Sequence, residues 1–233
     1  MEEEKVAIAV SDGSGEMSGF VVDPQPGAER PGVLLIQEVF GVNDYIRSVA
    51  RQLAAQGYRV CAPDLFWRIE PEIELDPGTE EGRERSKQLR QAFEPAKGLE
   101  DCKSTAAFLR RGSPKVGVVG FCMGGRQAFH LALGPHVDAS VAYYGTGIHK
   151  LLDHSKHLTV PLLLHIAEKD HLCDDEARFL IYEVLGPSPD VELHTYSGAG
   201  HAFARPGGKS YNEEAASLAH RRTAEFLRRH LST

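Results

Sequence analysis

Residues Lys115 to Gly125 read Lys-Val-Gly-Val-Val-Gly-Phe-Cys-Met-Gly-Gly, and no other stretch restricts the fold of this chain as much. Val116 to Val119 is short, apolar and β-branched, the composition of a strand buried on both faces of a parallel sheet. A glycine cluster ends it with Cys122 at its centre, and Arg126 to Leu133 then has the composition of a helix. The pattern Gly120-x-Cys122-x-Gly124-Gly125 is that of the strand-to-helix turn G-x-S-x-G, with a thiol in place of the hydroxyl. The central residue of such a turn is strained, so its neighbours must be small enough to clear the adjacent strand and helix. The helix start points at the sulfur, where its partial positive charge favours a thiolate and its free amides face a developing oxyanion. The competing reading is a buried structural cysteine in a tight connection.

The rest of the chain alternates strands with helices. Val6 to Val10 and Gly19 to Asp23 predict an antiparallel pair around Ser11-Asp12-Gly13-Ser14-Gly15. Buried strands are expected at Gly32 to Ile36, Tyr58 to Ala62, Val137 to Tyr144, Val160 to Ala167 and Val191 to Tyr196. Asn43 caps a helix through Gln56, Asp174 caps another that Gly186-Pro187 stops, and a closing helix runs from Tyr211 to Arg229. Leu99, Cys102, Ala106 and Leu109 mark the helix leading into the central strand. Leu65 to Gly98 is the least regular part, broken by Pro71, Pro77 and Pro95. It is either a solvated helix and loop or a source of substrate-contacting groups. The alternation implies a mostly parallel sheet with helices on both faces, an α/β fold, in one domain spanning residues 1–233.

A net charge of −7 disfavours nucleic acid and anionic membrane surfaces as partners. The acidic start Met-Glu-Glu-Glu, with no apolar run near the length of a membrane span, predicts a cytoplasmic protein. Cysteines at 61, 102, 122 and 173 form neither a C-x-x-C motif nor a zinc knuckle, so reduced thiols are expected. His149, His154 and His157 do not match zinc-ligand spacing and read as a solvated helix end. The Gly145-Thr146-Gly147 turn lacks the remainder of a dinucleotide site. No long apolar stripe calls for a second copy, so a monomer is expected.

In a parallel sheet, active residues gather beyond the C-terminal strand ends. Cys122, Asp170 and His201 each follow a predicted strand, in the order nucleophile, acid, histidine that α/β-hydrolases use. His201 can take the thiol proton, and Asp170 can orient the ring and stabilise imidazolium. Taken singly, Asp170 reads as a turn residue and His201 as a loop histidine.

With these residues placed, the chain resembles the dienelactone hydrolases (carboxymethylenebutenolidases), a cysteine branch of the α/β-hydrolase fold. The resemblance runs nearly end to end. It is carried by Gln37-Glu38-Val39-Phe40-Gly41-Val42-Asn43, Ala62-Pro63-Asp64-Leu65, Gly120-Phe121-Cys122-Met123-Gly124-Gly125, Tyr143-Tyr144-Gly145 and Gly200-His201-Ala202-Phe203-Ala204-Arg205. It implies Cys122, Asp170 and His201 as the triad, Glu38 as the carboxylate holding the resting thiol, and the amides of Val39 and Met123 as the oxyanion hole. Tyr144 falls among the implied substrate-binding residues. It also implies a small lactone carrying a carboxylate as substrate, with no metal or organic cofactor required. Arginine suits a carboxylate in a cleft. Arg205 matches one such family position; Arg83 matches the other, with Arg85 in its place if the register slips by two. Lys87 and Arg90 stand where well-known members carry aromatic residues lining the pocket, which makes a larger or more anionic ligand conceivable. Three other readings stand beside it: a hydrolase of other esters or thioesters with the same triad, a thiol redox sensor using Cys122 with Cys61 or Cys173, and a catalytically silent binding protein, for which all three triad groups would be unnecessary.

Overall fold

The computed structural model describes residues 1–232. Eight strands form one sheet: β1 (Glu2–Ala9), β2 (Glu16–Asp23), β3 (Gly32–Ile36), β4 (Arg59–Pro63), β5 (Val116–Phe121), β6 (Ala139–Tyr143), β7 (Leu162–Lys169) and β8 (Val191–Gly200). Their spatial order is β1-β2-β4-β3-β5-β6-β7-β8. The β1–β2 and β2–β4 pairs are antiparallel and all others parallel. The expected N-terminal hairpin is therefore present, and it extends a parallel sheet whose middle strands, β3, β5 and β6, are buried at every position.

Six helices cover the sheet: α1 (Asp44–Ala55), α2 (Glu80–Ala92), α3 (Pro95–Arg110), α4 (Met123–Ala132), α5 (Asp175–Leu185) and α6 (Glu213–Leu231). Helices α1 and α6 share one face, and α3 and α4 pack together on the other. The caps are those the sequence predicts: Asn43 accepts from the Ile46 amide and Asp174 from the Ala177 amide. Strand β1 runs from Glu2 to Ala9 where Val6 to Val10 is expected, β6, β7 and α6 shift by about two residues at an end, and four further differences concern the elements around the site. Pro95 opens α3 instead of breaking it, because a proline at the first helical position gives up an amide that has no partner there. Helix α4 begins at Met123, so the glycine pair lies within its first turn and not ahead of it. Strand β8 continues through Ser197 to Gly200, past a register irregularity opposite Ala167 to Lys169. The irregular stretch after Leu65 contains the whole of α2 and the start of α3.

A buried polar chain ties α6 to the sheet. His165 on β7 shares Nδ1 with the Tyr196 hydroxyl (2.8 Å) and Nε2 with the Thr223 hydroxyl (2.9 Å), which in turn lies 2.6 Å from the Tyr143 hydroxyl. Burial pushes His165 well below the ordinary imidazole range and lowers His194 and His220 as well. The unfolded chain therefore binds protons that the folded chain refuses, and stability falls as pH drops below about 6.5. His165 alone accounts for up to about 1.4 kcal/mol per pH unit in that window. Urea midpoints at pH 7.5 and 5.5 check this, with His165→Gln expected to flatten the difference.

Candidate active site

Each of the three predicted site residues is the first residue after a strand: Cys122 after β5, Asp170 after β7 and His201 after β8. The register then sets where they emerge. Ile36 pairs with Gly120, Phe121 with Tyr143 and Lys169 with Gly200, so Glu38, Cys122, Tyr144, Asp170 and His201 all leave the sheet at its C-terminal rim. Strand β8 lies three strands from β5, about 14 Å away at the usual spacing, so the chain after Gly200 has to turn back. Ala202 turns it at φ 63°, and the buried Phe203 ring holds it there against Tyr144 (centroids 5.4 Å) and Tyr196 (4.8 Å). Burying that ring contributes about 2–3 kcal/mol, ample to hold one loop over the strand ends.

The turn at Cys122 has the strain the glycine pattern predicts. Its backbone lies at φ 56° and ψ −113°, a conformation that costs about 1–3 kcal/mol for a residue with a Cβ. Three hydrogen bonds hold it there: its amide donates to Tyr143 O (3.0 Å), and its carbonyl accepts from the amides of Arg126 (3.2 Å) and Thr146 (3.2 Å). A Cβ at Gly120 would overlap the Gly124 carbonyl, and one at Gly124 would sit 2.5 Å from Ile36 O and 2.6 Å from Gln37 O. Only hydrogen fits at these two places, so β3, β5 and the start of α4 close around the turn.

The structure brings the three side chains into one chain of contacts. His201 Nε2 lies 3.1 Å from the Cys122 sulfur, and Nδ1 lies 2.8 Å from Asp170 Oδ2. The second Asp170 oxygen accepts from the Leu172 amide at 2.8 Å, which locks the carboxylate plane. Burial alone would lower the His201 pKa. The negative charge of Cys122 and the hydrogen bonds from Asp170 and Cys122 outweigh it and raise the value to about 10. His201 is thus held as imidazolium between the Cys122 sulfur and the Asp170 carboxylate. Among the described residues, the amides of Val39 and Met123 have no protein acceptor. Met123 is the first residue of α4, so its N–H has no partner within the helix and is free to face an oxyanion.

Other predicted site residues are placed differently. Glu38 is buried, yet its partner is not the thiol: Oε2 accepts from Arg205 Nη1 at 2.6 Å, while the sulfur faces His201. A carboxylate taken out of water binds most strongly to the guanidinium beside it, which corrects the expected role of Glu38 as holder of the thiol in this state. The Arg205 guanidinium also stacks 5.0 Å from the Phe40 ring and makes no other hydrogen bond among the described residues. Tyr144 lies against His201 with centroids 5.2 Å apart. Arg83, Lys87 and Arg90 are not drawn into this cluster. Arg83 donates to the carbonyls of Pro77 (3.1 Å) and Gly78 (2.9 Å) and pairs with Glu80, Lys87 pairs with Glu84, and Arg90 is exposed. Helix α2 offers each of the first two a local partner one turn away, which satisfies it without any ligand. Arg85, the competitor for the Arg83 position, pairs with Glu70.

The other cysteines are buried free thiols. Burial pushes Cys61 up to about 12 and Cys173 to about 11, so neither is primed as a thiolate. His149, His154 and His157 lie on a 3-10 segment, Ile148–His157, and no group of three or more metal-ligating side chains occurs among the described residues. No helix of the described residues is long and apolar enough to cross a membrane. Sequence reasoning missed Tyr45 and Phe40. Tyr45 looks like one more apolar residue at helical spacing on α1, and nothing in that period marks its buried hydroxyl or its edge-on contact with Phe121 at 5.6 Å.

Several known proteins are similar to this chain. A family model described as the dienelactone hydrolase family matches residues 17–231. A carboxymethylenebutenolidase of Pseudomonas putida is 37% identical over 94% of this chain and 94% of its own. A candidate carboxymethylenebutenolidase of Azospirillum brasilense is 38% identical over 97% of this chain and 98% of its own. Among solved structures, a candidate dienelactone hydrolase of Klebsiella pneumoniae superposes with TM-score 0.83 at 27% identity, covering 97% of each chain. The sheet order and helix placement are those of an α/β-hydrolase fold.

Proposed function

The chain belongs to the dienelactone hydrolase family, carboxylic ester hydrolases of the carboxymethylenebutenolidase type, and from that premise we propose that it opens a small carboxylate-bearing lactone through a thioester on Cys122. The observation that carries the proposal is the unbroken contact from the Cys122 sulfur through His201 to Asp170. The Cys122 thiolate attacks the lactone carbonyl carbon, and the carbonyl oxygen takes up the charge facing the amides of Met123 and Val39. The ring C–O bond breaks, leaving an enolate oxygen and an acyl group on sulfur. His201, carrying the proton that left Cys122, gives it to the enolate. The neutral ring then takes a proton from water, the hydroxide adds to the thioester, and the C–S bond breaks to release the carboxylic acid and return sulfur opposite protonated His201.

Arg205 is the cation best placed for the substrate carboxylate, since only Nη1 is spent on Glu38. Removing it has two effects that can be separated. Glu38 loses its partner and becomes an uncompensated buried charge, which slows turnover of every substrate. The loss of the carboxylate contact adds only to acidic ones. Arg205→Ala is therefore expected to raise KM for acidic lactones about tenfold or more beyond any change for neutral aryl esters. Equal losses on both substrate types would remove the carboxylate contact from the account.

A further inference from the structure

His201 has a second aromatic neighbour besides Tyr144. The His171 ring meets it nearly edge-on, with centroids 5.8 Å apart and planes at 78°. Tyr144 is 3% exposed, whereas His171 is exposed and its side chain makes no hydrogen bond among the described residues. Two further approaches to the imidazole are taken, since Nδ1 faces Asp170 and Nε2 faces the Cys122 sulfur. Only 12% of the His201 side chain is exposed, and His171 is the exposed one of its ring neighbours, so it borders the side from which a molecule reaches that ring. The backbone under His171 is fixed. The Asp170 carboxylate accepts from the Leu172 amide (2.8 Å), the Asp170 carbonyl accepts from the Cys173 amide (3.1 Å), and Asp174 caps α5. Cys173 is buried and fastens the loop to the core, so a ligand meeting His171 has little loop freedom to freeze.

The chemistry decides what lies beside this ring. With the acyl carbon on the Cys122 sulfur and its oxygen facing the Val39 and Met123 amides, the oxygen that leaves must lie by His201 Nε2, which protonates it. Whatever that oxygen carries then runs along the His201 ring. Tyr144 closes the buried side, and the open side leads to His171. An imidazole bears an N–H in either protonation state, and no protein group claims that of His171. We propose that His171 is a specificity-determining residue: its ring N–H donates to a carboxylate carried on the alcohol side of the bond that breaks, which holds substrates with an acidic leaving group against His201. The inference rests on Cys122 being the nucleophile and deepens that reading by giving one end of the substrate to one side chain. Arg205 stacks on Phe40, which follows β3, while His171 follows β7. Those strands lie on opposite sides of β5, so substitution of His171 leaves the Arg205 contact in place.

The test compares phenyl acetate with 3-carboxyphenyl acetate, which differ only by a carboxylate on the alcohol side. His171→Phe keeps a ring against His201 and removes both nitrogens. It is expected to raise KM for 3-carboxyphenyl acetate about three- to tenfold more than KM for phenyl acetate, with kcat for the two esters changing by the same factor. His171→Gln, which restores a donor, is expected to recover most of that difference. Titration calorimetry with 3-hydroxybenzoate, the alcohol released, reads the same contact without turnover: His171→Phe is expected to weaken its binding by the same factor relative to phenol. Equal KM changes on the two esters, or a 3-hydroxybenzoate affinity indifferent to the side chain at position 171, overturn the proposal, since a ring that merely packs on His201 treats both molecules alike. Absence of ester turnover in the unaltered chain would instead remove the hydrolase reading and leave calorimetry to decide the contact.

Discussion

Cys122→Ala is expected to lower ester and lactone turnover by on the order of 10⁵-fold or more while the unfolding midpoint stays close to that of the unaltered chain. The activity loss is near total because no other group can form the acyl intermediate. Cys61, Cys102 and Cys173 are buried, and the first and last are raised to about 12 and about 11. The fold survives because alanine keeps the Cβ and the backbone at φ 56°, and all three hydrogen bonds that hold the turn are made by the main chain. What is lost is a sulfur in van der Waals contact and its 3.1 Å contact with His201 Nε2, together worth about 1–2 kcal/mol. Steady-state assays and a urea titration of the same sample check both halves. A variant that kept a tenth of its activity would show that the chemistry lies elsewhere.

That the turn at Cys122 could be read from the sequence at all follows from how strongly its surroundings constrain it. Gly32 to Ile36 is recovered residue for residue because a strand buried on both faces must be continuously apolar, and the chain turns polar where burial stops. Gly120 and Gly124 are legible because a Cβ at either position meets backbone, which cannot move aside. Boundaries that rest on weaker forces were harder to read. The Ser197 to Gly200 segment has the composition of a loop, yet it pairs with β7 because its partner, and not its propensity, decides. Gly124 and Gly125 look like a turn and are the first turn of α4, since the close approach of Gly145 and Ile36 needs hydrogen there whatever the helix propensity.

Side-chain partners were the least legible. Glu38 has several cations and one thiol as conceivable partners along the chain, and only the path of the loop carrying Phe203 puts Arg205 2.6 Å away. That loop is placed by the Phe203 ring on Tyr144 and Tyr196, a contact between residues far apart in sequence. Arg83 and Lys87 lie on a helix with acidic residues one turn away, and local pairing claims them before any distant ligand does. Charge on an exposed helix is thus a poor guide to a site, whereas charge that ends a buried strand demands a partner and identifies one.

The second large effect is expected at Asp170, where the geometry sets the sign of the failure. In Asp170→Asn the Leu172 amide, 2.8 Å from Oδ1, continues to require an acceptor, so the new amide oxygen stays there and its NH₂ group is turned toward His201 Nδ1. The ring nitrogen must then accept, which places the imidazole proton on Nε2, 3.1 Å from the sulfur. A nitrogen already carrying a proton cannot take one from the thiol. The imidazolium also loses the carboxylate that helped raise His201 to about 10, so the ring holds a proton less strongly. Turnover at pH 7 is expected to fall about 10³- to 10⁴-fold, with substrate affinity little changed. The deficit should shrink as pH rises toward 9, because the thiol then ionises without help from the base. A pH profile of kcat/KM for both proteins checks this: a ratio that stays constant from pH 6 to 9 would mean that Asp170 acts by holding the loop in place and not by fixing which nitrogen of His201 bears the proton.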